Sequence, residues 1–157
     1  MKAKISVFIL AIILTTIISY PILFDSTIES KSKDFKRSIW TTNNTVKFKF
    51  DFEEKESVNI NLFFRIDNDF NQFSNLILFC NLINEDLNDT ISDTLNINIF
   101  DSWGNCLGSG PSEIKTFEYN YKKNYALNKG NYCLDILQGM RADSLFGIKN
   151  IGFNIFK

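Results

Sequence analysis

The sequence predicts an all-β protein, an antiparallel β-sandwich of about seven or eight strands preceded by one N-terminal hydrophobic helix. Three observations carry that prediction. Apolar and polar residues alternate with period two through most of the chain after Trp40. Clusters of Asn, Asp, Gly and Ser separate the alternating runs. A single uncharged stretch, Ile5 to Phe24, stands in front of them.

That stretch is long enough to cross a hydrocarbon core of about 30 Å as a helix. Lys2 and Lys4 precede it, which places the N-terminus in the cytoplasm and sends the rest of the chain outward. The stretch ends Ile18-Ser19-Tyr20-Pro21-Ile22-Leu23-Phe24, without the small-x-small triplet of a cleavage site. Residues 1–24 are therefore expected to stay on as a signal anchor, with an uncleaved signal peptide as the equivalent reading. Residues 25–38 are polar, with Lys31, Lys33, Asp34, Lys36 and Arg37 interspersed, and are expected to be a solvated tether. The β-sandwich is expected over residues 39–157.

Within it, Val46, Phe48, Phe50 and Phe52 alternate with Lys47, Lys49, Asp51 and Glu53, a strand with one dry and one wet face. Val58, Ile60, Leu62 and Phe64 repeat the pattern. Leu76 to Ile83 is apolar on both faces, as a central strand is. Leu95, Ile97 and Ile99 follow, then Phe117, Tyr119 and Tyr121, then Tyr132, Leu134 and Ile136, and last Ile151, Phe153 and Ile155. Turns are expected at Asp67 to Asn71, Asn84 to Asp89, Trp103 to Ser112 and Lys129 to Asn131. Only Leu137 to Ser144 could hold a helical turn. The chain's 16 Phe are needed first to fill a core.

Composition narrows the function. Lys+Arg number 17 against 18 Asp+Glu, so the chain lacks the positive charge that binds nucleic acid. There is no histidine, which removes the commonest general base, the usual metal ligand and every Ser-His or Cys-His pair. Asp67, Asp69 and Asn71 fall at alternate positions, but Gln72 stands where a calcium loop needs Gly, and Leu78 where it needs Glu. Cys80, Cys106 and Cys133 form no Cys-x-x-Cys and leave three pairings open. Gly104, Gly108 and Gly110 describe a tight turn rather than a phosphate loop, because no helix follows. Glu53 and Glu54 are adjacent on a strand and point to opposite faces, so they cannot share a substrate. No catalytic residue, cofactor site, metal site or small-molecule substrate is expected, and the protein is expected not to be an enzyme.

What is left is interaction. Gln138, Arg141 and Asp143 form a polar group between two strands, where loops present contacts; an Arg there can hold a partner carboxylate in a bidentate pair. The bland reading is an Arg that fixes its own loop. An alternative of another class is a carbohydrate-binding sandwich, for which Trp103, Tyr119 and Tyr121 are the only plausible aromatic platform.

The order of several segments resembles a known family. Arg65 with Asn68 comes first, then Phe73 to Phe79, Asp93-Thr94-Leu95 and the Gly104 to Gly110 loop. Gly130-Asn131-Tyr132, Gln138-Gly139-Met140-Arg141 and Gly147 to Gly152 follow. Together these resemble the gliding-motility lipoproteins of the GldH family of Bacteroidetes, from about Trp40 to Lys157. The resemblance implies an exported, noncatalytic cell-envelope protein that supports gliding and its secretion machinery by assembling or stabilising other envelope proteins, with its folded part in the periplasm. Three departures stand out. Phe24-Asp25-Ser26 occupies the place of the lipid-bearing Cys-Asp-Ser, so the uncleaved helix is expected to replace the lipid as membrane anchor. Cys106 stands where the family usually has Trp, and Gly139 where it has Ala.

Overall fold

The structure is a computed structural model that describes residues 27–157, apart from Asn71 and Ser112. The expected membrane helix, Ile5 to Phe24, lies outside the described residues. Ten strands run in order: β1 (Thr27–Asp34), β2 (Ile39–Thr41), β3 (Val46–Phe52), β4 (Glu56–Asp67), β5 (Asn75–Asn84), β6 (Asp89–Asn98), β7 (Ile114–Leu127), β8 (Gly130–Gln138), β9 (Ser144–Phe146) and β10 (Ile148–Phe156). Eight of them form two four-stranded antiparallel sheets, ordered β1-β10-β4-β7 and β3-β8-β5-β6. The short β2 and β9 pair with each other and carry the chain from one sheet to the other. Apart from the β5–β6 hairpin, consecutive long strands alternate between the sheets, in the order of a jelly roll.

The period-two reading places the core correctly. Phe48, Phe50, Ile60, Leu62, Phe64, Leu134, Ile136, Ile151, Phe153 and Ile155 all face inward. The Phe153 ring lies 5.2 Å from that of Phe48 and 5.3 Å from that of Phe50, across the gap between the sheets. β5, apolar on both faces, is internal as expected, between β8 and β6.

Three expectations need correction. The strands among the described residues number ten, because β2 and β9 are too short to show a period. Residues 27–34, expected in the polar tether, form β1 and pair with β10 from Thr27 to Asp34. Nearly every β1 side chain is exposed, so its sequence carries no apolar alternation; main-chain bonds to β10 hold it, as an edge strand requires. Leu137 to Ser144 holds no helical turn, and the one short 3-10 segment among the described residues is Lys36–Ser38.

The connections divide by pole. At one pole lie the tight turns 53–55, 85–88 and 128–129, together with Thr27 and Lys157. At the other lie all four long connections, 35–45, 68–74, 99–113 and 139–147. We call these the chain-end pole and the loop pole.

Candidate functional site

Three of the six large exposed apolar side chains among the described residues lie at the loop pole, including the most exposed of all. Trp103 is 88 % exposed, and Leu107 and Phe146 are also exposed. A Trp left in water on a floppy loop would be unremarkable, but this one is mounted rigidly. The Asp101 carboxylate accepts the main-chain N–H of Trp103 at 2.9 Å and of Asn105 at 2.8 Å, and the Asn105 side-chain amide at 2.9 Å. Gly104, at φ +85°, closes the turn and donates its N–H to the Asp101 carbonyl. The Asn105 amide is the main reason that the Asp101 carboxyl sits below the usual carboxylate range, aided by the N–H groups of Asn105, Trp103 and Gly104. Behind the turn, Cys106 packs its thiol against the core.

The pole is continuous from loop to loop. A cleft of about 270 Å³ separates connections 68–74 and 99–113 and is lined by Phe70, Phe100, Cys106 and Lys115. Phe70 is buried, and its backbone lies directly against Gly147 at the entrance to β10. Asp67 ties three elements here. It accepts the N–H of Asp69 at 3.0 Å and pairs with Lys149 at 3.2 Å, and Lys149 also donates to the Ser38 hydroxyl. Burial works to raise the Asp67 carboxyl, but these hydrogen bonds and the Lys149 charge outweigh it and hold the group below its ordinary value. Trp40 plugs the pole from inside, fully buried, stacked on Phe35 and donating its indole N–H to the Asn44 carbonyl at 2.8 Å.

The three polar residues expected as a contact separate into two roles. Gln138 is buried, its amide donating to the Ala142 carbonyl and its oxygen accepting the Met140 N–H. It therefore shapes the 139–143 loop and offers nothing outward. Arg141 and Asp143 are exposed on that loop, and the Asp143 carbonyl accepts the Thr42 N–H. The aromatic platform does not form. Tyr121 is 8 % exposed and spends its hydroxyl on Asp93 at 2.8 Å, and Tyr119 packs against the core. Only Trp103 of that set is presented. Phe146 and Leu107 were missed because an isolated exposed apolar residue in a turn has no periodic signal. Cys80 faces the core and Cys133 the solvent side of the same sheet, so these two cannot pair.

Comparison with known proteins gives the family. The GldH lipoprotein family model matches residues 27–155. The chain belongs to the GldH lipoprotein family. A gliding motility lipoprotein GldH homolog of Christiangramia forsetii is 32 % identical over 148 residues, covering 87 % of this chain and 90 % of that relative. Among solved structures, a family 35 carbohydrate binding module of Clostridium thermocellum gives a TM-score of 0.40 at 9 % identity, over 81 % of this chain and 88 % of that one. Latent PorU of Porphyromonas gingivalis gives 0.38 at 11 % identity, over 87 % of this chain and 13 % of that one. The family match begins at Thr27, the residue at which β1 begins, so this GldH-family domain includes the edge strand that the sequence alone suggested was tether.

Proposed function

We propose that this GldH-family protein is a noncatalytic accessory of the cell envelope, anchored at its chain-end pole and contacting partner envelope proteins through its loop pole. The observation that carries the reading is the separation of the two poles. Thr27 enters at one, just after the apolar stretch 5–24, while Trp103, Leu107, Phe146 and Arg141 are displayed at the other. Trp and Arg are the side chains most enriched among residues that dominate protein–protein affinity. The thiols support an inert role, since burial raises Cys80 to about 12 and Cys133 to about 11, far from a reactive thiolate. In this reading the uncharged stretch holds the chain in the membrane, with the sandwich on the periplasmic side.

Recovery of the tagged full-length chain from its native membranes tests this. Trp103→Ala is expected to leave the melting temperature unchanged, because that side chain touches water, and to reduce the recovered partner about tenfold or more, the range of a residue that dominates an interface. Arg141→Lys is expected to weaken the same complex, because Lys cannot reproduce a bidentate pair. Full recovery with both substitutions combined removes the loop pole as the contact. Release of the chain from membranes by alkaline carbonate would remove the anchor.

A further inference from the structure

A sulfur holds the 139–143 loop to its sheet. β5 and β8 pair as far as Leu78↔Gln138. One residue further on, Gly139 donates its N–H to the Ile77 carbonyl at 2.8 Å. In a continuing antiparallel ladder the Ile77 N–H would return that bond to the Gly139 carbonyl. The chain turns away at Gly139 instead. The Met140 thioether takes the place of the carbonyl and accepts the Ile77 N–H at 3.1 Å. The Met140 side chain is half-buried and rests against the core. Its own N–H is accepted by Gln138, whose amide also donates to the Ala142 carbonyl. The loop that carries Arg141 is thus fastened to β5 by one main-chain bond and one bond to a thioether.

The sulfur chemistry of the chain singles out the same residue. A thioether is oxidised without losing a proton, whereas a thiol reacts as its thiolate. Burial raises the Cys80 and Cys133 thiols, to about 12 and about 11, so neither competes near neutrality. Met1 is the chain's only other methionine. One lone pair of the Met140 sulfur is committed to Ile77, and the second is left for an oxidant.

We propose that Met140 is a modification site, at which a peroxide converts the thioether to a sulfoxide and releases the 139–143 loop from β5. The second lone pair attacks one peroxide oxygen. The O–O bond breaks as the S–O bond forms, and the departing hydroxide takes the proton of the transferred oxygen and leaves as water. Sulfur loses two electrons and the peroxide gains them. The sulfur is then electron-poor and stops accepting, and the new oxygen points away from Ile77. Turning that oxygen onto the Ile77 N–H does not restore the contact. An N–H···O bond by itself spans about 2.9 Å, nearly all of the 3.1 Å that now separates nitrogen from sulfur. The sulfur and the chain behind it must therefore retreat by the length of an S–O bond. A polar group also replaces the apolar one that met the core. The release does not depend on whether Arg141 touches a partner, because it takes place within the isolated chain.

The purified full-length chain is treated with hydrogen peroxide, and each added oxygen is placed by fragment mass. Met140 is expected to gain one oxygen while the chain is folded, before Cys80 or Cys133 gains any. Hydrogen exchange then reads the loop. The Ile77 and Gly139 amides are expected to exchange about tenfold faster once Met140 is oxidised, the loss of roughly one hydrogen bond. They are expected to slow again after treatment with the two methionine sulfoxide reductases, one for each epimer. Met140→Leu keeps the apolar volume and removes the acceptor. Its Ile77 amide is expected to exchange fast from the start and to be unaffected by peroxide. Resistance of Met140 until the chain unfolds, unchanged Ile77 exchange after oxidation, slow Ile77 exchange in Met140→Leu, or an equal effect of peroxide on that variant would overturn the proposal.

Discussion

Two glycines with nearly the same backbone angle allow the packing of the loop pole to be measured. Gly104 has φ +85° and Gly147 φ +80°. A Cβ added at Gly104 meets nothing within 4 Å, whereas at Gly147 it would run into the backbone of Asp69 and Phe70. Gly104→Ala therefore costs only the left-handed conformation, about 1–2 kcal/mol. Gly147→Ala costs the same strain plus overpacking of about 1–3 kcal/mol, and more if the two connections cannot part, since both neighbours are main chain. At roughly 3–5 °C per kcal/mol for a domain of this size, the first variant should melt roughly 5 °C lower and the second roughly 10 °C or more. Thermal melts of the full-length chain in one detergent, followed by circular dichroism at a strand wavelength, measure both. Equal losses, or a smaller loss at Gly147, would show that connection 68–74 does not rest on the β9–β10 corner, and the continuity of the loop pole would fail with it.

Further outcomes follow from charge and thiol chemistry. Asp67 is depressed in the folded protein, so it contributes stability above the ordinary carboxylate range, and that contribution is lost as pH falls through the folded value. Asp67→Asn should melt lower than the wild type near neutrality, with the two curves converging in acid; parallel curves would exclude the pairing with Lys149. Cys106 is half-buried and Cys80 fully buried, so alkylation of the native chain at pH 8 should modify Cys106 first and reach Cys80 only on unfolding. A mass two hydrogens short of the reduced chain, with a melting point that falls on reduction, would reveal a disulfide instead.

The sandwich was legible because seven of its eight strands carry the apolar pattern that burial imposes. Val46 to Phe52 reads buried and exposed in strict alternation, and sequence shows that directly. β1 was not legible, because an edge strand exposed on both faces differs from a linker only in its main-chain bonds. The candidate site divided along the same line. The Trp103 turn was visible as a Gly-rich, Asp-led loop, but its exposure was not. Gln138 was assigned outward on polarity alone, whereas a buried amide that satisfies two loop groups has the same sequence signature as one that waits for a partner. Tyr121 was assigned to a platform although its hydroxyl is taken up by Asp93 across the sheets.

The pairing of β1 with β10 also sets how the protein carries load. The chain enters β1 at the pole opposite the loops, so with the N-terminus anchored and a partner held at Trp103, as proposed above, a pull between them would run along the strands. β1 would then have to slide past β10 as a whole, from Thr27↔Phe156 to Asp34↔Asn150. Its main-chain bonds share the force in shear, instead of opening one after another as they would if β1 were peeled sideways. An attachment at the same pole as the loops would have loaded the seam in the weaker direction. The strand that sequence presents as slack would, in the proposed arrangement, be the part of the fold that resists tension.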